Sequence, residues 1–254
     1  MPREQMNARS SASLESVLEL ARVTGDAAMR YFRQPLNVET KADGSPVTMA
    51  DRSAETEARA WIARHFPDDA VVGEEQGGTR GGAKRYWLID PIDGTKAFVH
   101  GVPLWSTLIA LVEDGRVIAG AAHFPAVAEI VGAALGCGAF RNGAPCRVSA
   151  VSDLSRATVL TTDTRLALGT RRLRAFEELA RAAAVARTWG DGYGYLMVAT
   201  GRAEIMVDEV VNEWDIAPWR VIVAEAGGVV KDWEVGALAT NAALAEEVQQ
   251  RLVT

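Results

Sequence analysis

The sequence predicts a layered α/β fold in which sheets are covered by helices. Two observations support this prediction. The predicted elements run from helices through a meander of short strands to alternating strands and helices. The 254-residue chain also has an ordinary globular composition, with 48 % hydrophobic and 24 % charged residues. No repeat or low-complexity linker divides it. We therefore predict a single domain over residues 1–254, with possible subdomains at 1–150 and 151–254.

The first predicted element is an amphipathic helix. Apolar residues recur at helical spacing from Leu14 to Phe32, which predicts a helix over residues 13–33. The polar residues 1–13 lack the apolar core of a signal peptide. We expect them to form a short frayed tail.

A second helix and a series of short strands are predicted next. The helix is capped by Thr48 or Asp51, follows a turn cluster at 41–46, and ends near Phe66, where a proline follows. Short apolar runs separated by turns then indicate strands. These predicted strands lie at 70–73, 86–89, 104–112, 116–124, 128–132 and 138–149. The glycine-rich segment 77–84 is predicted to be a loop or a mobile lid.

The second half of the chain alternates between strands and helices. Its predicted strands lie at 159–161, 203–207 and 237–240. Its predicted helices lie at 168–184, 192–200 and 215–226, and a terminal helix follows the last strand. This alternation is the pattern that favours a sheet covered by helices.

The charge balance excludes several classes of partner. Lys and Arg number 27 and Asp and Glu number 33, which gives a net charge of −6. Without a basic excess, neither a nucleic-acid surface nor an anionic-membrane surface is predicted. No apolar run is long enough to span a membrane, and the two cysteines form neither a disulfide framework nor a zinc pattern. We expect a cytoplasmic protein.

The segment WLIDPIDGTK carries the densest chemistry. An apolar strand ends at Asp90, and Pro91 is predicted to break the strand ladder because it has no N–H to donate. Asp93 follows, and Gly94 and Thr95 open a helix. Two carboxylates would then lie at the carboxyl edge of a sheet, beside helix N–H groups that suit a phosphate. Oxygen ligands of this kind predict Mg²⁺.

Other acids favour a metal site over simple capping. Taken alone, Asp90 could be a turn residue and Asp93 a helix N-cap. However, Glu74 also ends an apolar strand, and Asp51 and Asp215 also stand at helix starts. Each of these acids alone would be read as a cap. Several acids at element ends beside apolar residues together predict a metal cage.

Four segments, in this order, resemble the Mg²⁺-dependent, lithium-sensitive phosphomonoesterases of the inositol monophosphatase superfamily. They are VTMAD (47–51), VVGEE (71–75), WLIDPIDGTKAF (87–98) and EWDIAPWRVIVAEAGG (213–228). The resemblance implies alternating α-β-α-β-α layers of the inositol monophosphatase/fructose-1,6-bisphosphatase type. It also implies two or three Mg²⁺ ions per site, a small-molecule phosphate monoester as substrate, and a homodimer.

The resemblance also implies a set of metal ligands. Glu74, Asp90 and the backbone carbonyl of Ile92 would bind the first metal. Asp90, Asp93 and Asp215 would bind the second. A third, weaker Mg²⁺ would share Glu74.

The remaining implied roles concern water and phosphate. Asp51 and Thr95, together with Glu74, form the implied catalytic set, in which Asp51 and Thr95 orient the attacking water and help to deprotonate it. The backbone N–H groups of Gly94 and Thr95 would hold the phosphate. The expected reaction is in-line attack by a metal-activated water, without a phospho-enzyme.

Within the superfamily, the sequence is most similar to the histidinol-phosphate phosphatase branch. Lys96 replaces a small or polar residue of inositol-type members, and the segments 101–111 and 189–195 also look like that branch. Asp191 in the second segment suits the ammonium and imidazole groups of histidinol phosphate. The candidate substrate-binding residues are Lys96, Asp191, Asp208, Glu209 and Glu213.

Several of these interpretations have alternatives. Asp191 could instead cap the helix that follows it, and Asp208 and Glu209 could form a solvated turn. Pro218 stands where the family has a small residue. We expect it in a first helical turn, where proline is tolerated, although it could alter the shape of the substrate pocket.

Alternative functions also stay open at this point. The first is an inositol-1-phosphatase or a broader sugar-phosphate phosphatase. A 3′-phosphoadenosine phosphatase is supported mainly by Lys96. From a different class, the chain could be a non-catalytic metal-binding relative, but its intact set of acidic residues argues against that.

Overall fold

The computed structural model describes residues 3–35, 38–40, 46–164, 170–233 and 236–253. The helices are α1 (Arg3–Met29), α2 (Met49–His65), α3 (Thr95–Val99), α4 (Thr170–Ala182), α5 (Asp191–Ala199), α6 (Glu213–Glu225) and α7 (Ala245–Val253). The first nine strands are β1 (Val38–Thr40), β2 (Pro46–Thr48), β3 (Ala70–Gly73), β4 (Arg85–Asp93), β5 (Ser106–Glu113), β6 (Arg116–Phe124), β7 (Glu129–Ala134), β8 (Gly138–Arg141) and β9 (Ala144–Cys146). The last five are β10 (Thr158–Thr161), β11 (Val185–Arg187), β12 (Ile205–Asp208), β13 (Gly228–Asp232) and β14 (Ala237–Asn241).

Two large sheets alternate with layers of helices. The larger sheet has the strand order β3-β4-β5-β6-β7-β8-β9, and the smaller has the order β11-β10-β12-β14-β13. Helices α1 and α2 cover one face of the larger sheet, α5 and α6 lie between the sheets, and α4 and α7 cover the outer face of the smaller sheet. The predicted α-β-α-β-α layering is therefore confirmed.

The strands at the centre are apolar on both faces because both faces are covered. On β4, Trp87 and Ile89 pack toward α1 and α2, whereas Leu88 packs toward α6. On β12, Met206 joins the core between the sheets, whereas Ile205 packs with α4 and α7. Alternate residues of one strand thus enter different cores, which is why these strands appear as continuous apolar runs in the sequence.

The core between the sheets draws on both halves of the chain. Phe124 of the larger sheet packs there with Trp219 of α6 and Met206 of the smaller sheet. The larger sheet lies within residues 70–146 and the smaller within 158–241. The division into subdomains at residue 150 stays a prediction. No helix in the described ranges is both long and apolar enough to cross a membrane.

The predicted N-terminal tail is wrong, because α1 begins at Arg3. The segment is polar, but Glu, Gln, Met, Ala and Arg are good helix formers, so a polar composition does not oppose a helix. The helix ends at Met29 rather than at 33. A turn follows, in which Arg33 adopts a φ of 60°.

Pro91 does not end the ladder of β4, as the sequence had suggested. The strand continues to Asp93, and its pairing with β5 shifts between Asp90 and Asp93. Such a bulge removes the need for a ladder hydrogen bond at the proline. Across the bulge, three residues of β4 span two residues of β5, and Asp90 and Asp93 both lie at the end of the strand.

Pro218 lies in the second turn of α6 rather than the first. The helix begins at Glu213, two residues before the predicted start. Pro218 therefore lacks an N–H at a position where the helix would use one. The residue is buried inside the fold and is not among the described residues that line the pocket below.

Most other predicted elements are confirmed within a few residues, including Thr48 as the N-cap of α2. Four short or polar strands were not predicted, namely β1, β2, β11 and β13. Positions 41–45 of the predicted turn cluster and 168–169 of the predicted helix lie outside the described residues. The predicted β-rich run at 138–149 is a hairpin of two strands, and its turn lies at Asn142 and Gly143, as the sequence predicts.

Candidate active site

A pocket of about 290 Å³ lies where the ends of β3 and β4 face α5, α6 and the end of β10. Its lining is mostly polar and comes from residues at the ends of strands and the starts of helices. These residues are Glu74, Asp90, Ile92, Asp93, Gly94, Thr95, Lys96, Thr162, Asp163, Asp191, Asn212 and Asp215. The structure thus brings together nine of the residues predicted from the sequence.

Parallel pairing of β3 and β4 places Glu74 beside Asp90. Gly73 is paired with Ile89, and the N–H of Glu74 donates to the Ile89 carbonyl at 3.0 Å. Each acid is the next residue along its chain, so both reach the same edge of the sheet. Asp90 is only 2 % exposed, and its Oδ1 accepts the N–H of Ile92 at 3.0 Å.

Asp93 links the two halves of the molecule. Its Oδ2 accepts the Ser106 hydroxyl at 2.7 Å and the Gly192 N–H, from the first turn of α5, also at 2.7 Å. A Cβ on Gly192 would lie 2.6 Å from this oxygen. Only glycine therefore permits α5 to approach Asp93 this closely.

Asp215 is positioned by the start of α6. It occupies the third position of a capping box, and its Oδ2 accepts the Asn212 N–H at 2.7 Å and the Asn212 side-chain amide at 3.2 Å. The sequence places both residues within one helical turn. The tertiary fold brings that turn to the edge of β4.

Burial and mutual repulsion raise the pKa of these carboxyls. The pKa of Asp90 is well above its usual range because of burial and then the charges of Glu74, Asp93 and Asp215. The pKa of Asp93 is also well above its usual range, through burial and the charges of Asp191 and Asp215, although its two hydrogen bonds oppose the shift. Burial raises the pKa of Asp215 to about 7. The pocket therefore concentrates more negative charge than its own surroundings neutralise.

The chemistry of this donor set fits a divalent cation. Carboxylate and carbonyl oxygens are the ligands that Mg²⁺ prefers, and a cation would relieve the repulsion among the acids. As the side chains stand, no three acidic, His or Cys residues of the described segments are arranged to hold a metal ion. Asp90 instead lies close enough to Glu74 and Asp215 for their charges to raise its pKa.

The two residues predicted to orient water lie in different environments. Thr95 lines the pocket, and its hydroxyl donates to the Ile92 carbonyl at 3.1 Å. Asp51 is buried in the first turn of α2, where its Oδ2 accepts the N–H of Thr48 at 2.8 Å and its hydroxyl at 2.6 Å. Asp51 is not among the described lining residues, and the role of both residues stays a prediction.

Asp191 lines the pocket close to Gly94, since a Cβ on Gly94 would lie 3.1 Å from Asp191 Oδ2. It is the first residue of α5, and Gly190 occupies the N-cap, so the alternative of Asp191 as a cap is wrong. Its φ of 51° is unusual for a residue other than glycine. Its N–H donates to the Thr162 hydroxyl at 2.8 Å. Burial raises the pKa of its carboxyl to about 6, and the charge of Lys96 opposes that shift.

Asp208 and Glu209 lie outside the described pocket lining. They are 5 % and 6 % exposed, so the alternative of a solvated turn is wrong. Asp208 Oδ1 accepts the backbone N–H of Thr162 at 3.2 Å, and burial raises the pKa of Asp208 to about 7. Thr162 therefore connects the buried Asp208 to Asp191.

Glu213 also lies outside the described lining, on the neighbouring surface. It forms an ion pair with Arg80 of the glycine-rich loop 77–84. The Arg80 guanidinium also lies 4.8 Å from the centre of the Tyr86 ring. These contacts hold the loop against the start of α6, and the role of the loop as a lid stays a prediction.

Three lining residues were not predicted, namely Thr162, Asp163 and Asn212. A signal for each was present in the sequence. Thr162 and Asp163 directly follow a short apolar strand, which is the pattern that identified Glu74 and Asp90. Asn212 stands three residues before Asp215, which is the spacing of a capping box.

Comparisons with known proteins show one family along most of the chain. A model of the inositol monophosphatase family matches residues 11–252. A histidinol-phosphatase of Chlorobaculum parvum is 44 % identical over 221 residues, which are 87 % of this chain and 85 % of that protein. A histidinol-phosphatase of Mycobacterium tuberculosis is 38 % identical over 240 residues, which are 88 % of this chain and 91 % of that protein.

A solved structure shares the fold. An IMPase of Thermotoga maritima superposes with a TM-score of 0.85 at 32 % identity, and the match covers 94 % of this chain and 96 % of that one. The similarity therefore extends over both sheets and all three helix layers.

Proposed function

The chain belongs to the inositol monophosphatase family, and we propose that it is a Mg²⁺-dependent phosphomonoesterase that hydrolyses histidinol phosphate to histidinol and phosphate. One observation carries the proposal: a single pocket is lined by two chemically different groups of residues. The group that we call the metal wall consists of Glu74, Asp90, Asp93 and Asp215. The group that we call the substrate wall consists of Lys96, Thr162 and Asp191.

The metal wall and the carbonyl of Ile92 would hold two or three Mg²⁺ ions. When bound, Mg²⁺ neutralises phosphate charge, lowers the pKa of water and stabilises the leaving alkoxide. The residues of the chain then contribute positioning and electrostatics rather than covalent chemistry. This division explains why an acidic protein can bind a phosphorylated substrate.

Gly94 and Thr95 are suited to hold the phosphate and the attacking water. Both residues line the pocket and follow Asp93 in the sequence. They stand at the start of α3, where backbone N–H groups favour an anion. Because the Thr95 hydroxyl donates its proton to Ile92, its oxygen can accept a hydrogen bond from water. We assign to Asp51 and Thr95 the role of taking a proton from that water. As the water oxygen forms the new bond to phosphorus, the bond between phosphorus and the histidinol oxygen breaks, and the departing alkoxide takes a proton from solvent.

The substrate wall accounts for the choice of histidinol phosphate. Its carbon skeleton carries an ammonium and an imidazole, and a carboxylate can form charge-assisted hydrogen bonds to both. Asp191 is an acid of the pocket lining that does not belong to the metal wall. The charge of Lys96 opposes the rise in its pKa and so favours the ionised form. Lys96 supplies a positive charge on the same wall, which suits the phosphate.

A second candidate is hydrolysis of inositol 1-phosphate or a related sugar phosphate. The similarity to the solved Thermotoga maritima IMPase favours it. The same metal wall would serve this reaction, since the phosphate is common to both substrates. The two candidates differ at the substrate wall, where the charge of Asp191 attracts the cationic groups of histidinol more strongly than the hydroxyls of a neutral polyol.

The test is phosphate release from a panel of monoesters with and without Mg²⁺. We expect activity only with Mg²⁺ and the highest kcat/KM with histidinol phosphate. A preference for inositol 1-phosphate would support the second candidate instead. Release that persists after metal is removed by a chelator would contradict the mechanism. The homodimer and the cytoplasmic location stay predictions.

A further inference from the structure

We propose that Glu55, together with Arg59, is a positioning residue that holds Glu74 in the metal wall. Neither residue lines the pocket among the described residues, and Glu55 is fully buried in α2. The inference rests on the proposed function, because it concerns how strongly the site binds Mg²⁺. Its consequence is that metal affinity depends on a carboxylate that does not touch the metal.

The carboxylate of Glu55 binds the backbone that follows Glu74. Its Oε2 accepts the N–H of Glu75 at 2.7 Å and lies 3.3 Å from the N–H of Gln76. Its Oε1 accepts the Arg59 Nε–H at 2.7 Å and lies 3.2 Å from the same Gln76 N–H. A buried carboxylate with this many donors is satisfied only when the loop keeps its conformation.

The backbone before Glu74 is equally close to Glu55. A Cβ built on Gly73 would lie 2.1 Å from Glu55 Oε1, so any other residue there would displace the carboxylate. Arg59 extends the contact by donating to the carbonyl of Gly77. The turn that carries Glu74 is therefore held at both ends by one turn of α2.

Further contacts attach the same turn to α2 and to β4. The side-chain amide of Gln76 donates to the Thr56 hydroxyl at 2.9 Å. On the other side, the N–H of Glu74 donates to the Ile89 carbonyl at 3.0 Å. With its neighbours held in this way, Glu74 keeps its backbone fixed while its side chain lines the pocket. Helix α2 also carries Asp51 in its first turn, so one helix positions residues predicted for both metal and water.

The experiment measures Mg²⁺ binding by isothermal titration calorimetry on the full chain without substrate. Glu55→Gln keeps the size of the side chain but removes its charge. We expect its Mg²⁺ dissociation constant to rise by about 10- to 100-fold, the usual effect of losing a residue that supports a metal ligand. The matched control is Glu57→Gln on the same helix, whose side chain is 46 % exposed. It should bind Mg²⁺ like the parent protein.

A purely structural role predicts a different result. In that case, Glu55→Gln would lower the melting temperature, but the folded variant would bind Mg²⁺ with unchanged affinity, and this outcome would overturn the proposal. If Glu55→Gln does not fold, Arg59→Gln decides, because it leaves the buried carboxylate in place and removes only its partner. Weaker Mg²⁺ binding by Arg59→Gln supports the proposal, and unchanged binding contradicts it.

Glu74→Gln separates failure of this inference from failure of the proposed function. If Glu74→Gln weakens Mg²⁺ binding but Glu55→Gln and Arg59→Gln do not, only the positioning role is wrong. If Glu74→Gln itself binds Mg²⁺ like the parent protein, the metal wall is wrongly assigned, and both proposals fail.

Discussion

The metal wall and the substrate wall are built in different ways. Asp90 lies on a strand and Asp215 in the first turn of a helix, and their oxygens accept N–H groups two or three residues away. Asp191 instead has a left-handed backbone, and its N–H is bonded to Thr162, 29 residues earlier. Asp90 and Asp215 thus depend on local structure, whereas Asp191 depends on a long-range contact and a strained backbone. Asp93 combines the two walls, because its carboxylate accepts the N–H of Gly192, the residue after Asp191.

The largest effect is expected from removing one charge of the metal wall. Asp93→Asn should lower kcat/KM by roughly 100- to 1,000-fold, because electrostatic stabilisation is the main contribution of such a site. The loss should be similar with histidinol phosphate and inositol 1-phosphate, since both share the phosphate. Kinetics of phosphate release measure it, with Asp114→Asn in an exposed turn as the control. A loss confined to one substrate would contradict the separation of the two walls.

A smaller and selective effect is expected at the substrate wall. Asp191→Asn should lower kcat/KM for histidinol phosphate by about 10- to 100-fold, the equivalent of a lost charge-assisted hydrogen bond. Asparagine tolerates the left-handed backbone, so the fold should be retained. Inositol 1-phosphate kinetics should change little, and the exposed Asp68→Asn serves as control. Equal losses on both substrates would show that Asp191 supports the fold of the pocket rather than the substrate.

A third effect is expected at Gly192, which follows Asp191 in the chain and donates its N–H to Asp93 of the metal wall. Gly192→Ala would place a Cβ 2.5 Å from Ser106 Oγ and 2.6 Å from Asp93 Oδ2. We expect the free energy of unfolding to fall by about 1–3 kcal/mol, as for other overpacked sites. Activity on both substrates should fall together, since Asp93 is displaced. Urea denaturation and kinetics test this, and Gly82→Ala, whose Cβ would meet nothing within 4 Å, should behave like the parent protein.

The smallest effect is expected at His123, which lies away from both walls. Burial lowers the pKa of His123, with a smaller opposing effect from the Ala21 carbonyl and Asp26, while Arg22 adds to the lowering. The unfolded chain therefore binds a proton more readily than the folded chain. Stability from this residue is present above its unfolded pKa of about 6.5 and is lost as the pH falls below it. Gln at this position stays neutral, so His123→Gln should lose less stability on acidification.

Urea denaturation of both proteins at about pH 7.5 and about pH 5.5 measures that difference. The quantity to compare is the fall in the free energy of unfolding between the two pH values. An equal fall in both proteins would show that His123 does not contribute to the loss of stability at low pH. Kinetic differences between substrates should not appear, because the residue contacts neither wall.

The sequence predicts the residues of the metal wall better than those of the substrate wall, because most of them lie at the ends of regular elements. Glu74, Asp90 and Asp215 each follow or begin a regular element, and local patterns identify such positions. Thr162 follows a short apolar strand, as Glu74 does, but its hydrogen bond to Asp191 depends on β10 lying near α5, which a local pattern does not show. Asp208 was assigned to the substrate, yet it is buried beneath Thr162. The sequence does not show which neighbouring group a given carboxylate will bind.

Local rules thus determined the layered fold, most of its elements and the acids of the metal wall. These features follow from side-chain periodicity, turns and caps, which act within a few residues. The tertiary structure alone decided that Pro91 lies in a bulge, that Gly192 contacts Asp93, and that Glu55 holds the turn of Glu74. Each of these depends on contacts between distant segments, because close packing and the need to satisfy buried polar groups act on the folded chain as a whole.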